Sequence, residues 1–292
     1  QSSSSGRAAP SAIPLLLQAA RAPGRSGGMA GGGRRRGFWA AALGLGALAA
    51  GTEEPPSAGA PSASPSYLEA AFWDKLYTAG PRLSEGPLVS SWQGVGYEQL
   101  RSLLAPLLDR MQPRRVLIIG AGDSALPEEL ADAGLPDVVA VDFSEAVVGA
   151  MRKRSAESRP AVRWLAEDVR RLSLPDASVG LAIDVGTLDT LAIGEDGAAG
   201  EMLQQARRVL GAGGSLVSVS SEPPAFRLRF LYEHMSPQGW NITTSSLPRP
   251  REIDRRIHDL NPEWGPGQLT VYVVSAIPAE VVQDPPSTPM AD

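Results

Sequence analysis

Cysteine is absent from this 292-residue chain, which excludes disulfides and thiolate metal sites. Histidine is nearly absent: His234 and His258 are the only two, and neither stands at ligand spacing from a carboxylate cluster. No metal site is expected, and there is no Cys/His or Ser/His/Asp arrangement for nucleophilic catalysis. Residues 1–52 lack Asp and Glu but hold six arginines, so the net charge of −5 conceals an acidic main body. From residue 53 onward, 21 basic residues face 32 acidic ones, a balance of −11. Such a body lacks the basic stripe of a general nucleic-acid binder, and nucleic acid is not an expected partner. Long apolar runs are missing too. Residues 37–50, after Arg34-Arg35-Arg36, make a run of only 14, too short for a stable membrane span.

The first 66 residues are rich in Ser, Gly, Ala, Pro and Arg. This composition is that of an organelle transit peptide, mitochondrial or plastid. The readings that compete with it are a signal or anchor sequence, because the run 37–50 ends in small residues, and a disordered cytoplasmic tail. Residues 53–66 read as a proline-rich linker. The expected division is a targeting or disordered extension over 1–66, one folded domain over 67–277 and a disordered tail over 278–292.

The folded part is organised around Arg115-Val116-Leu117-Ile118-Ile119-Gly120-Ala121-Gly122. Four consecutive aliphatic residues predict a short strand buried on both faces, and an apolar-periodic helix follows the glycine turn. Glycine there lets a ligand approach the backbone, and its amides can meet an anionic or hydroxyl-rich group. Twenty residues after Gly122, a second strand ends in Asp142, placed to accept hydrogen bonds from ribose hydroxyls. A third strand, 162–165, leads into Asp168 and Val169, suited to an adenine edge and its packing wall. A fourth, 179–183, ends at Asp184-Val185-Gly186-Thr187-Leu188-Asp189 beside the first, at the crevice where an open parallel sheet reverses its order. Residues 67–108 read as helical segments, in which Trp73 and Trp92 are core residues or ligand contacts. A helix over 202–210 stopped by Gly211-Ala212-Gly213-Gly214 and a strand over 215–220 continue the alternation; two final strands lie near 239–243 and 269–274. The expected fold is α/β: a Rossmann-like, seven-stranded, mostly parallel sheet closed by an antiparallel hairpin with a long irregular loop.

Four motifs occur in order: Phe72-Trp73-Asp74-Lys75-Leu76-Tyr77, Leu174-Pro175-Asp176-Ala177-Ser178, Gly186-Thr187-Leu188-Asp189 and Gly239-Trp240. Together with the glycine turn they resemble the seven-strand S-adenosyl-L-methionine-dependent methyltransferases, in the branch of the elongation factor 1 alpha and citrate synthase lysine methyltransferases. The resemblance spans about 67–275. It implies that Trp73, Tyr77 and Trp92 close over the methionine end of the cofactor and that Gly120 and Gly122 approach its carboxypropyl group and ribose. It also implies that Asp142 holds the ribose, that Phe143 lies on the adenine, and that Asp168 and Val169 bind its edge. A protein lysine is the implied acceptor, with Asp184 positioning the cationic substrate. Three positions depart from the family pattern: Ala121 for cysteine, Ser91 for an acidic residue, and Val185 for lysine beside the methionine portion. The last keeps a catalytically weak or inactive binding protein open as an alternative, and a small-molecule methyltransferase stays open because nothing in the sequence fixes the acceptor. A nicotinamide oxidoreductase is a further rival, since Gly120-Ala121-Gly122-Asp123-Ser124-Ala125 fits a looser dinucleotide fingerprint.

Overall fold

Aliphatic runs without polar alternation demand a strand covered on both faces, and that is how they are used. The computed structural model describes residues 68–78, 93–111, 114–192, 197–222, 224–235, 239–251 and 268–276. Its elements run α1 (Ala70–Thr78), α2 (Tyr97–Arg110), β1 (Arg115–Ile119), α3 (Leu126–Asp132), β2 (Asp137–Asp142), α4 (Glu145–Ser155), β3 (Val162–Ala166) and β4 (Val179–Val185). Then follow α5 (Thr187–Leu191), α6 (Ala198–Val209), β5 (Leu210–Ser220), α7 (Pro224–His234), β6 (Trp240–Pro248) and β7 (Gln268–Ala276). The seven strands form one sheet in the order β3-β2-β1-β4-β5-β7-β6. The first five pair in parallel, and β7 is antiparallel to both β5 and β6. This is the expected architecture. The targeting and disordered segments expected over 1–66 and 278–292 lie outside the described residues; among the described residues no helix is long and apolar enough to cross a membrane.

Alternate residues of β1 serve opposite layers. Leu117 and Ile119 join Val139 and Val141 against α5, α6 and α7, while Val116 and Ile118 join Val138 and Ala140 against α2, α3 and α4. Each such side chain, taken fully out of water, contributes roughly 1.5–3 kcal/mol.

Three local expectations are corrected. The helix α4, which the sequence predicts after a Ser144 cap with Ala146, Val147, Ala150 and Met151 facing inward, keeps that cap but buries Val147, Val148, Met151 and Ser155. The segment Gly211-Ala212-Gly213-Gly214 does not stop a helix; it lies inside β5, which begins directly at Leu210. There its pairing with β4 shifts register between Val179 and Leu181, an irregularity that Gly213 accommodates at φ +75°. The helix α7 was not expected, because its buried positions are Arg227 and Leu231, and a charged residue facing inward hides the apolar stripe.

Candidate functional site

Strand order reverses between β1 and β4, and the carboxyl ends of β3, β2, β1 and β4 stand side by side there. Above them lies a cleft of about 750 Å³, counting the space it shares with open solvent. Of the residues expected at the site, Trp73, Tyr77, Gly120, Asp142, Phe143, Asp168, Val169 and Val185 line this one cleft. Trp92 lies outside the described residues. Gly122 is not in the lining; its amide donates instead to Asp142 Oδ2 at 2.9 Å.

The turn after β1 is held from within. The Ala121 amide donates to the Val141 carbonyl and the Ser124 amide to the Ala121 carbonyl, so these groups are engaged and do not offer the open amide cradle expected from the glycines. Gly120 has φ +59°, and a Cβ there would overlap the Thr187 hydroxyl and come 2.7 Å from Thr187 Cγ2. The Thr187 hydroxyl in turn donates to the carbonyls of Ile119 and Gly120, at 3.2 and 3.4 Å. The tips of β1 and β4 are thereby joined side chain to backbone.

Asp142 is buried at the tip of β2 and accepts from the Gly122 and Ser144 amides, one at each oxygen. Burial pushes its carboxyl above the usual range, against the two amides, and the Asp74 and Asp123 carboxylates push the same way. Each oxygen keeps a lone pair, so the group can still accept hydrogen bonds from a diol. At the β3 tip, Asp168 is clamped by the Arg170 guanidinium, with contacts of 3.0, 3.0 and 2.8 Å. Burial opposes its ionisation, but the Arg170 hydrogen bonds outweigh that and hold its carboxyl below the usual range. Both Asp168 and Arg170 line the cleft, whose apolar walls are Leu68, Trp73, Phe143, Val169 and Leu191. A flat aromatic base fits between such walls.

Sequence reasoning passed over two contributors. Asp74, inside the first motif, accepts from the Ser144 hydroxyl at 2.6 Å and the Ala146 amide at 3.1 Å, tying α1 to the start of α4. That tie sets Trp73 and Tyr77, four residues apart on α1, over the cleft. Gln93 lines the cleft beside Gly186, and no motif signalled it.

Asp184 is a correction. It was expected to position a cationic substrate, yet its side chain has no exposed surface and does not line the cleft. One oxygen accepts from the Thr187 and Leu188 amides at 2.9 and 3.1 Å, and the other from the Ser218 hydroxyl at 2.6 Å. It caps α5 and so fixes the peptide that carries Gly186 and Thr187. Burial pushes its carboxyl up to about 6, against the Ser218 hydrogen bond. The folded protein therefore binds this proton more tightly than the unfolded chain, and stability drawn from the group is present below pH 3.8 and lost as pH rises through about 6. In Asp184→Asn the amide oxygen keeps the two backbone donors and the amide nitrogen donates to Ser218. The expected result is stability within about 1 kcal/mol of the parent at pH 7 and a flatter stability profile between pH 4 and 6. Asp184→Ala orphans two buried amides and is expected to lose about 2–4 kcal/mol. Urea unfolding across pH checks both.

Comparison with known proteins bears on this geometry. A family model described as a methyltransferase domain matches residues 116–214. EEF1A lysine methyltransferase 4 of Bos taurus is 31% identical over 234 residues, which cover 76% of this chain and 86% of that protein. The mitochondrial citrate synthase-lysine N-methyltransferase CSKMT of Pongo abelii is 34% identical over 194 residues, 60% of this chain and 79% of that one. Among solved structures, Haemonchus contortus phosphoethanolamine N-methyltransferase 1, in complex with phosphoethanolamine and S-adenosylhomocysteine, is similar with a TM-score of 0.51 at 18% identity. That likeness covers 73% of this chain and 49% of the other, and it shows the shared fold.

Proposed function

Because this chain belongs to the S-adenosylmethionine-dependent methyltransferase family of the EEF1A and citrate synthase lysine methyltransferases, we propose that it methylates the ε-amine of a lysine in a protein substrate. The observation that carries this reading is that relatives named for two unrelated protein substrates share one acceptor, lysine. The cofactor supplies a methyl group already activated on a sulfonium, so the chain's own work is to bind, orient and exclude water.

On this reading the cofactor runs along the strand tips in the order of the sheet. Its base lies at β3 between Phe143 and Val169 with its edge at Asp168, its ribose at Asp142 of β2, and its amino-acid end over Gly120 and the β4 tip. Strands stand about 4.8 Å apart, so four adjacent tips span about 14 Å, enough for an adenosine with an amino acid chain on its 5′ carbon. Trp73 and Tyr77 cover that end from α1. The acceptor lysine must arrive as a free amine, since an ammonium has no lone pair, and an apolar approach past Leu68, Trp73 and Leu191 lowers its pKa by desolvation. The domain that does this is 67–277. The arginine-rich, acid-free composition of residues 1–52 supports delivery to an organelle, the mitochondrion first.

Incubation of the purified chain with radiolabelled S-adenosylmethionine and mitochondrial or cytosolic extract is expected to label protein at lysine, read by mass spectrometry. Label confined to small molecules, or no label from a chain that binds the cofactor, would sink the lysine reading. A fluorescent protein carrying residues 1–66 is expected to accumulate in mitochondria, and diffuse cytoplasmic fluorescence would overturn that part.

A further inference from the structure

Nearly every polar side chain around the cleft is committed. Asp142 holds two amides, Asp168 holds Arg170, and Thr187 and Thr190 donate to backbone carbonyls. Gln93 differs. It is 7% exposed and lines the cleft, yet its side-chain amide makes no hydrogen bond to any described residue. The amide tip faces the open cleft rather than sealed protein, so its donors and its acceptor stay available to a ligand in place of water. Its location is specific: a Cβ on Gly186 would lie 3.6 Å from Gln93 Nε2, which sets the amide at the β4 end of the cleft. The segment is also pinned. Gln93, Gly94, Val95 and Gly96 are all buried, the Gly96 amide donates to Gln99 at 2.8 Å, and the Tyr97 amide donates to Glu129 of α3 at 2.7 Å.

The β4 end is where the zwitterionic amino-acid end of the cofactor has to be met, and among the described residues the lining there, Val185, Gly186, Thr187 and Thr190, offers no cation. We propose that Gln93 grips this end, its amide nitrogen donating to the α-carboxylate and its amide oxygen accepting from the α-ammonium. An amide carries a donor and an acceptor on one rigid plane, which matches a neighbouring carboxylate and ammonium without a net charge. The assignment rests on the run of the cofactor along the strand tips given above.

The test is a comparison of two ligands by calorimetry on the full chain. S-Adenosylhomocysteine has the amino-acid end; 5′-methylthioadenosine keeps the base, ribose and sulfur and lacks it. Gln93→Met, close to isosteric, is expected to weaken S-adenosylhomocysteine about 10- to 100-fold and to leave 5′-methylthioadenosine within about twofold. Gln93→Glu, which keeps the shape and removes the donor, is the second variant and is expected to weaken the same ligand alone. Thermal unfolding confirms that each variant is folded. Equal weakening of both ligands, or of neither, would overturn the assignment. Asp142→Ala separates the two layers of the argument, since both ligands carry the ribose and both are expected to weaken together. If both bind the Asp142→Ala variant as tightly as the parent, the placement of the cofactor is wrong and the role of Gln93 falls with it.

Discussion

A Gly120→Ala variant is expected to lose about 2–6 kcal/mol of stability and, in whatever fraction stays folded, to lose measurable affinity for S-adenosylhomocysteine. Two costs add. Holding a residue with a Cβ at φ +59° strains the backbone by roughly 1–3 kcal/mol. The new methyl also falls on the side chain of Thr187, and displacing packed atoms costs roughly 1–3 kcal/mol more. Thr187 cannot rotate away freely, because its hydroxyl holds two carbonyls of the β1 end and its amide is held by Asp184. Gly134 serves as the control: it too has positive φ, but nothing lies within 4 Å of a Cβ there, so Gly134→Ala carries the conformational cost alone. Urea unfolding of both variants measures the difference. If the two lose equal stability, the Thr187 contact is not what demands glycine at 120.

The second large effect is expected at the buried pair of Arg227 and Asp189. Both side chains are 1% exposed, with Nη2 of Arg227 2.6 Å from Asp189 Oδ1. Asp189 also accepts from the Ser220 hydroxyl at 2.5 Å and the Ser221 amide at 3.0 Å, so one carboxylate joins α5, the end of β5 and α7. Arg227→Met is expected to cost about 3–5 kcal/mol, because it leaves the buried Asp189 side chain without its cationic partner. The double variant Arg227→Met/Asp189→Leu is expected to be more stable than Arg227→Met alone, since the fully buried charge is gone, though still short of the parent because the Ser221 amide loses its acceptor and Glu222 loses its contact with Arg227. Denaturant midpoints decide the order, and a double variant less stable than Arg227→Met would refute the account. Arg227 Nε has no partner among the described residues, so the pair is also not fully satisfied.

These residues show how far the chain was legible. The strands β1 to β4 were placed closely because a doubly covered strand writes itself as a local aliphatic run, and the residues just after each run fall at strand tips by necessity. Asp142 and Asp168 were therefore found from the pattern itself, whereas Trp73, on a helix far from any strand tip, was placed only by the resemblance of the first motif. Asp184 was misread for a physical reason: a carboxylate at a strand tip can face the cleft or turn back onto the next helix's amides, and both placements share one sequence. The helix α7 was missed because its inward residue is a cation whose partner lies 38 positions upstream. Gln93 was invisible for the opposite reason, since a lone glutamine before Gly94 carries no periodicity, and only its place in the cleft lining with no hydrogen bond to a described residue marks it. The glycine turn was found but its amides were over-read, for the bond from Gly122 to Asp142 is closed within the chain.

The pairing of β1 with β4 has a consequence for how this chain acquires activity. Within the sheet, β1, β2 and β3 are sequence neighbours and can pair as they leave the ribosome, but Val116 meets Leu181 across 64 residues of intervening chain. Closing that span is entropically slow compared with the local pairings. Half of the cleft, the wall of Asp142, Phe143 and Asp168, is thus available early, while Gly186 and Thr187 arrive last and lock onto the Gly120 turn. Cofactor binding is therefore expected to wait on closure of that seam, so ligand added during refolding is expected to leave the folding rate unchanged and to slow unfolding, as stopped-flow kinetics with and without S-adenosylhomocysteine would check. Cofactor level would then set the lifetime of the mature protein more than the rate at which it is made.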